Sequence, residues 1–220
     1  MKKTLKVLLV LVMLCAVTLT LVGCGNDEDT NKDNTVNNES NVNNNNEETT
    51  VEISRGEWQG NKYVNDFAGV TFNLPEGWAK YSDEEIAQLM NIGVETLNED
   101  QQKLAELAEQ SGVYGMVVND PSTAANIMVM IEKPVLKVTP DYYLSSIKQQ
   151  LEAVDAMDYE VGETYTTKIA NEDYYALDAV VAGYPISQHY FIKAVDDCFV
   201  AIIVTTTAEG QLEEIVNCFE

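Results

Sequence analysis

All eleven tyrosines, all five phenylalanines and both tryptophans of this 220-residue chain fall between Val51 and Glu220. A packed core must therefore come from that segment alone. The stretch before it, Gly25 to Thr50, holds ten Asn, seven acidic residues and one Lys, and its apolar side chains are Val36 and Val42. Such a composition cannot bury enough surface to offset the entropy of ordering a backbone. It reads as a tether, with a root-mean-square span of about 28 Å from the flexible-chain relation. Asp27, Asp29 and Asn31 mimic the start of a calcium loop, but Lys32 stands where the turn needs Gly and Asn38 where the bidentate Glu belongs,. By contrast, residues 51–220 suffice for one self-standing domain, since a chain of this length buries about 70% of its unfolded surface.

Upstream of the tether, Lys2, Lys3 and Lys6 precede an apolar run from Val7 to Val22 that only Thr18 and Thr20 interrupt. This is the build of a secretory signal peptide. Its end, Leu21-Val22-Gly23-Cys24, resembles the lipobox of bacterial lipoproteins. The resemblance implies cleavage after residue 23, a diacylglycerol thioether on the Cys24 sulfur, and an N-acyl chain as the further modification. Cys15 is no rival, because bulky Leu14 precedes it. Two or more acyl chains hold a protein on a bilayer where one gives only marginal attachment. The expected organisation is a signal peptide over 1–23, lipidated Cys24 and tether over 24–50, and a domain over 51–220. The expected location is the extracytoplasmic face of the cell membrane.

Charge narrows the partners. Loss of residues 1–23 removes three of the thirteen basic residues and none of the 36 acidic ones, leaving a net of −26. A nucleic-acid partner is excluded, because phosphate binding needs clustered cations. Lying flat on anionic lipid is disfavoured for the same reason. The membrane contact expected is the lipid itself.

The pattern within the domain alternates strands and helices without the regular repeat of a parallel sheet. Gly60 to Asn65 and Gly69 to Leu74 form a first hairpin. Ser82 with Glu85 makes a capping box ahead of Ile86, Leu89 and Met90, and a second helix carries Leu97, Leu104, Leu107 and Ala108. Strands follow at Val113 to Val118 and at Asn126 to Glu132, where Ile127-Met128-Val129-Met130-Ile131 predicts a central strand covered on both faces. Thr139-Pro140-Asp141 opens a helix with Tyr143, Ile147, Leu151 and Val154 inward. Then come four strand-like stretches, Tyr159 to Ile169, Tyr174 to Ala182, Ser187 to Val195 and Cys198 to Thr207, separated by short turns as in an antiparallel meander. A last helix carries Leu212, Ile215, Val216 and Phe219. The fold class expected is α+β, a single α/β/α sandwich with a twisted, mainly antiparallel sheet of about six to eight strands flanked by helices.

Tyr63, Phe67, Gly69, Val70 and Phe72, with Leu74-Pro75-Glu76-Gly77-Trp78, make the first hairpin more specific. This unit resembles the opening of the Mog/PsbP-like fold group, in which an aromatic hairpin and a Pro-x-Gly-Trp element begin one α/β/α domain. Members of that group serve as extrinsic subunits, transport partners and envelope lipoproteins. The resemblance implies a binding or scaffolding protein rather than an enzyme, and it defines no site residue that transfers to this chain.

Chemistry is sparsely signalled. His189 is the one histidine, and its strand setting favours a structural role. No nucleophile elbow, zinc helix or phosphate loop occurs. No cofactor and no metal site is expected, and no catalytic residue is assigned. Cys198 and Cys218 form either a candidate disulfide or two free thiols. Tyr142, Tyr174 and Tyr184 are candidates for a binding patch, since tyrosine joins an apolar face to a polar tip. The functional expectation is a membrane-tethered envelope lipoprotein that binds or scaffolds another envelope protein. The alternatives are a small cell-wall hydrolase using carboxylates, and a ligand-binding lipoprotein for a glycan or peptide.

Overall fold

The computed structural model describes residues 53–88, 112–123, 125–134, 137–154 and 158–220. Cys24, the tether and the predicted helix with Leu97, Leu104, Leu107 and Ala108 lie outside the described residues, as do Leu89 and Met90. Strands β1 (Glu57–Gln59), β2 (Lys62–Asn65) and β3 (Val70–Asn73) form a three-stranded antiparallel sheet. A second sheet of eight strands contains β4 (Ala79–Lys80), β5 (Gly112–Asn119), β6 (Asn126–Glu132), β7 (Tyr159–Val161), β8 (Tyr165–Ile169), β9 (Glu172–Val181), β10 (Ser187–Val195) and β11 (Cys198–Thr206). Its order is β4-β5-β6-β11-β10-β9-β7, with β8 also paired to β9, and each pairing is antiparallel. Helical residues 83–88 (α1), α2 (Pro140–Glu152) and α3 (Gln211–Val216) complete the described elements. The fold is α+β and mainly antiparallel.

Both faces of the central strands of the large sheet are covered, which explains their continuous apolar runs. Every residue of β6 and β11 is buried. On one face Met128, Met130, Phe199, Ala201 and Ile203 pack with Ile86 of α1 and with Tyr143, Leu144, Ile147 and Leu151 of α2. On the other, Ile127, Val129, Ile131, Val200, Ile202 and Val204 pack with Tyr63, Val70 and Phe72 of the small sheet and with Ile215 and Phe219. That second layer is thus a small sheet plus a six-residue helix. The first hairpin acquires β1 as a third strand and stacks on the large sheet. Phe219 leaves the last helix and bridges to Phe72, with ring centroids 4.9 Å apart.

Local signals account for the ends of the elements. The Ser82 backbone N–H and hydroxyl donate to Glu85 Oε2 at 2.8 and 2.9 Å, and the Glu85 N–H donates to Ser82 Oγ at 3.3 Å, closing the capping box. Thr139 Oγ1 accepts from the Tyr142 N–H at 3.3 Å, with Pro140 in the first turn of α2. Beyond β3, Trp78 N–H donates to the Pro75 carbonyl at 3.2 Å and Gly77 takes φ +84°, the left-handed turn that the Pro-x-Gly-Trp element requires,. The expected single strand from Tyr159 to Ile169 is divided: β7 and β8 pair with different halves of β9, and residues 162–164 step between them.

The small sheet is clamped to the large one around Tyr63, which is fully buried. Its hydroxyl donates to the Arg55 carbonyl at 2.6 Å and accepts from Asn65 Nδ2 at 3.1 Å, while Asn65 Oδ1 accepts from the Ala68 N–H at 2.9 Å. Arg55 Nε in turn donates to the Tyr114 carbonyl of β5 at 2.9 Å. Beside that residue the β5–β6 register slips between Tyr114 and Met116, a bulge at which Gly115 lies against the Tyr63 hydroxyl,. The start of the domain is fastened here, at the β5 side of the large sheet.

Candidate functional site

The turn between β9 and β10 is closed by the Val181 N–H donating to the Ile186 carbonyl at 3.1 Å. Pairing outward from that turn sets the residues of interest into rows across one face of the sheet. Val180 lies between Glu160 of β7 and Ser187 of β10, and Ser187 lies opposite Thr206 of β11. One row further in, Asp178 is opposite His189. The next row places Tyr165 of β8 opposite Ala176. All share the face that β1–β3 and α3 cover elsewhere.

Side-chain contacts link these rows. His189 Nδ1 is 2.7 Å from Asp178 Oδ1, and His189 Nε2 is 3.3 Å from Thr206 Oγ1. A carboxylate accepts but does not donate, so Nδ1 carries a proton toward Asp178. In the neutral ring Nε2 is then the acceptor for the Thr206 hydroxyl. Tyr165 Oη also donates to Asp178 Oδ1, at 3.2 Å. Burial, reinforced by the Asp178 charge and by this bond, pushes the Tyr165 phenol up to about 12, so it remains a donor.

A carboxylate, an imidazole and a hydroxyl in line are also the parts by which a base activates a nucleophile. Here the hydroxyl belongs to Thr206, a residue only 5% exposed within a strand. The next backbone N–H, that of Thr207, is bonded to Gln211 Oε1 at 2.8 Å instead of facing a developing oxyanion,. The line braces β9, β10 and β11 together.

Exposure points to the same region. Among the described residues, the large apolar side chains that stay exposed are Tyr142, Tyr165, Tyr175, Val180 and Tyr184. Four of these five lie on β8, on β9 or in the β9–β10 turn, and of them Tyr165 and Val180 share one face while Tyr175 points to the other. Tyr142 stands apart in the first turn of α2, where its neighbour Tyr143 reaches Glu132 and stacks 4.7 Å from Phe199 at the other end of β11. Tyr174 is 2% exposed and belongs to the core. The expected patch of Tyr142, Tyr174 and Tyr184 is therefore not one surface. Tyr184 is joined instead by Val180 and Tyr165, which sequence alone did not single out. The available signal was the turn at residues 182–185, from which the register, and with it the Asp178–His189 pair, follows.

Three other groups carry chemical potential. Glu132 is 3% exposed and accepts from Tyr143 Oη at 2.7 Å; burial raises its carboxyl to about 7 against the counter-effect of that bond. Lys193, also nearly buried, has its ammonium 3.4 Å from the Gly69 carbonyl and 5.2 Å from the Tyr174 ring centroid, and burial lowers its pKa. Cys198 is buried and Cys218 half-buried; both are free thiols, held protonated chiefly by burial. Among the described residues no three His, Cys, Asp or Glu side chains converge on a metal position. No helix among them is long and apolar enough to cross a membrane.

No family model matches the chain, and no curated protein matches its sequence. Among solved structures it is similar to the solution structure of cyanobacterial PsbP (CyanoP) from Synechocystis sp. PCC 6803, with a TM-score of 0.45 and 13% identity over 72% of this chain and 90% of that one. It is also similar to a crystal structure from Bacteroides thetaiotaomicron, with a TM-score of 0.34 and 17% identity over 74% of this chain and 48% of that one. The fold class rests on the chain's own topology.

Proposed function

We propose that this chain is a membrane-tethered envelope lipoprotein, anchored through Cys24 on the extracytoplasmic face, whose domain binds or scaffolds another envelope protein. The anchor is supported by Leu21-Val22-Gly23-Cys24 at the end of its apolar run. The binding role is supported by one observation above the others: among the described residues Tyr165 and Val180 stay exposed on one face at the β7–β8–β9 edge, with Tyr184 exposed in the adjoining β9–β10 turn. Exposed apolar surface gathered in one place marks interaction sites, whereas scattered single residues do not.

The test is site-specific photocrosslinking of the intact lipoprotein in its native membrane, with the photoreactive residue at Val180, at Tyr184 or at the remote Tyr142. The expected outcome is a discrete adduct from Val180 and Tyr184 and none from Tyr142. Equal adducts from all three positions, or none from the edge, would remove the reading.

A further inference from the structure

We infer that the sheet face formed by Glu160, Tyr165, Asp178 and Val180 receives an extended segment of a partner protein in which lysine or arginine alternates with apolar residues. The inference rests on the binding role proposed above and gives the partner its chemistry.

Among the described residues no layer covers this part of the sheet. β1–β3 and α3 cover the neighbouring strands on the same side, whereas Val180 is 42% exposed and Tyr165 40%. An apolar side chain laid across Val180 and the Tyr165 ring would complete the burial that the small sheet provides elsewhere. The rim is anionic. Glu160 is exposed directly opposite Val180, and Asp178 is two residues along on the same face. Asp178 Oδ1 is occupied by His189 and Tyr165, while among the described residues no hydrogen bond reaches Oδ2.

Among the described residues no cation neutralises this rim. Lys148 reaches the same edge from α2, but its ammonium is held at 3.0 Å by Glu163 and at 3.1 Å by the Gly162 carbonyl. Directly opposite Cβ atoms in an antiparallel pair lie about 5 Å apart, and diagonal ones about 7 Å. Glu160 and Asp178 therefore flank Val180 closely enough for a cationic head to meet both while its neighbour packs on the apolar strip. Complementary charge at such a rim sets partner choice and encounter rate more than total affinity.

The experiment uses the intact lipoprotein in uncharged detergent micelles and three probes: a labelled octapeptide alternating Lys with Val, its counterpart alternating Glu with Val, and chitotetraose as a neutral wall sugar. The Lys peptide is expected to bind, more weakly as salt rises, and the Glu peptide not to. Replacing Glu160→Gln with Asp178→Asn should weaken the Lys peptide about fivefold to tenfold, whereas Asp196→Asn with Asp197→Asn in the β10–β11 turn, removing equal charge, should change it less than about twofold. A second pair, Glu160→Gln with Val180→Ser, leaves the Asp178–His189 brace intact and should reproduce the loss. Equal weakening by the edge and turn pairs would reduce the effect to general attraction by an acidic protein and overturn the inference. So would binding of chitotetraose without the Lys peptide. If edge photocrosslinks persist while the Lys peptide shows no preference, the partner chemistry fails and the binding role stands. Loss of both removes both.

Discussion

The hydroxyl of Tyr63 occupies the space that a Cβ at Gly115 would need. A methyl group built there collides with Tyr63 Oη and comes within 3.1 Å of the Arg55 carbonyl to which that hydroxyl donates. The obstacle is neither flexible nor dispensable, because Tyr63 is fully buried and bonded to Arg55 and Asn65. Gly115→Ala is expected to cost about 1–3 kcal/mol, as overpacking in a close-packed core does. Urea denaturation measures it, and adding Tyr63→Phe should recover part of the loss, a coupling that a double-mutant cycle isolates.

Glu132 makes stability depend on pH in the direction opposite to most carboxylates. In the folded chain its carboxyl titrates at about 7, against an ordinary value of 4.5. Between those pH values the folded chain retains a proton that the unfolded chain has released. Stability is therefore full below 4.5 and is lost as pH rises through 7. At about 1.4 kcal/mol per pH decade the loss is on the order of 3 kcal/mol. Glu132→Gln should flatten this component, so that the variant gains on the parent as pH is raised from 5 to 8. Urea midpoints across that range decide it, and a parallel decline in both proteins would refute the assignment.

Thr139 sets the start of α2. Its side chain caps the Tyr142 N–H, and Pro140 fixes the first turn. Thr139→Ala should cost about 1 kcal/mol, read from the thermal midpoint, while Thr139→Ser should restore most of it.

The thiols give a count as well as a rate. Cys198 is 6% exposed and Cys218 half-buried, and both are held protonated by burial. An aromatic disulfide reagent should modify Cys218 first and Cys198 only on unfolding. On the proposed anchoring, in which Cys15 would leave with the signal and the Cys24 sulfur would be a thioether, the denatured protein purified from the membrane should yield two thiols. A third thiol would contradict the lipid anchor.

Cys24→Ala tests the anchor in the cell. The variant should leave the lipidated membrane fraction and lose its diacylglycerol label, while the thermal midpoint of its domain stays that of the parent. Retention of the label would refute lipidation at this position.

Much of the architecture was legible because local rules and tertiary demands agreed. The capping box at Ser82 and Glu85 formed as its spacing predicts, and the run from Ile127 to Ile131 became a strand buried on both faces. The separate small sheet was not legible, since β1 is three residues long and its partners are fixed by packing. Strand parity was the harder problem. Tyr174 and Tyr175 are adjacent, and alternation demands that they point oppositely, but in a sheet covered on both sides the pattern does not say which side is left open. The structure buries Tyr174 and exposes Tyr175. Asp178 and His189 stand eleven positions apart, and only the register of the β9–β10 hairpin joins them.

The clamp around Tyr63 also decides how this domain would hang. Ser54 and Arg55 are pinned there by hydrogen bonds from Asn65 and Tyr63, and Arg55 bonds onward to β5. From β5 to β9 the sheet runs through β6, β11 and β10, four steps of about 4.8 Å, or roughly 19 Å. For a body leashed through Cys24, the fastening and the Val180 edge are therefore hub and rim. On the proposed anchor, the hub would stand nearest the point of attachment and the rim would sweep the widest arc.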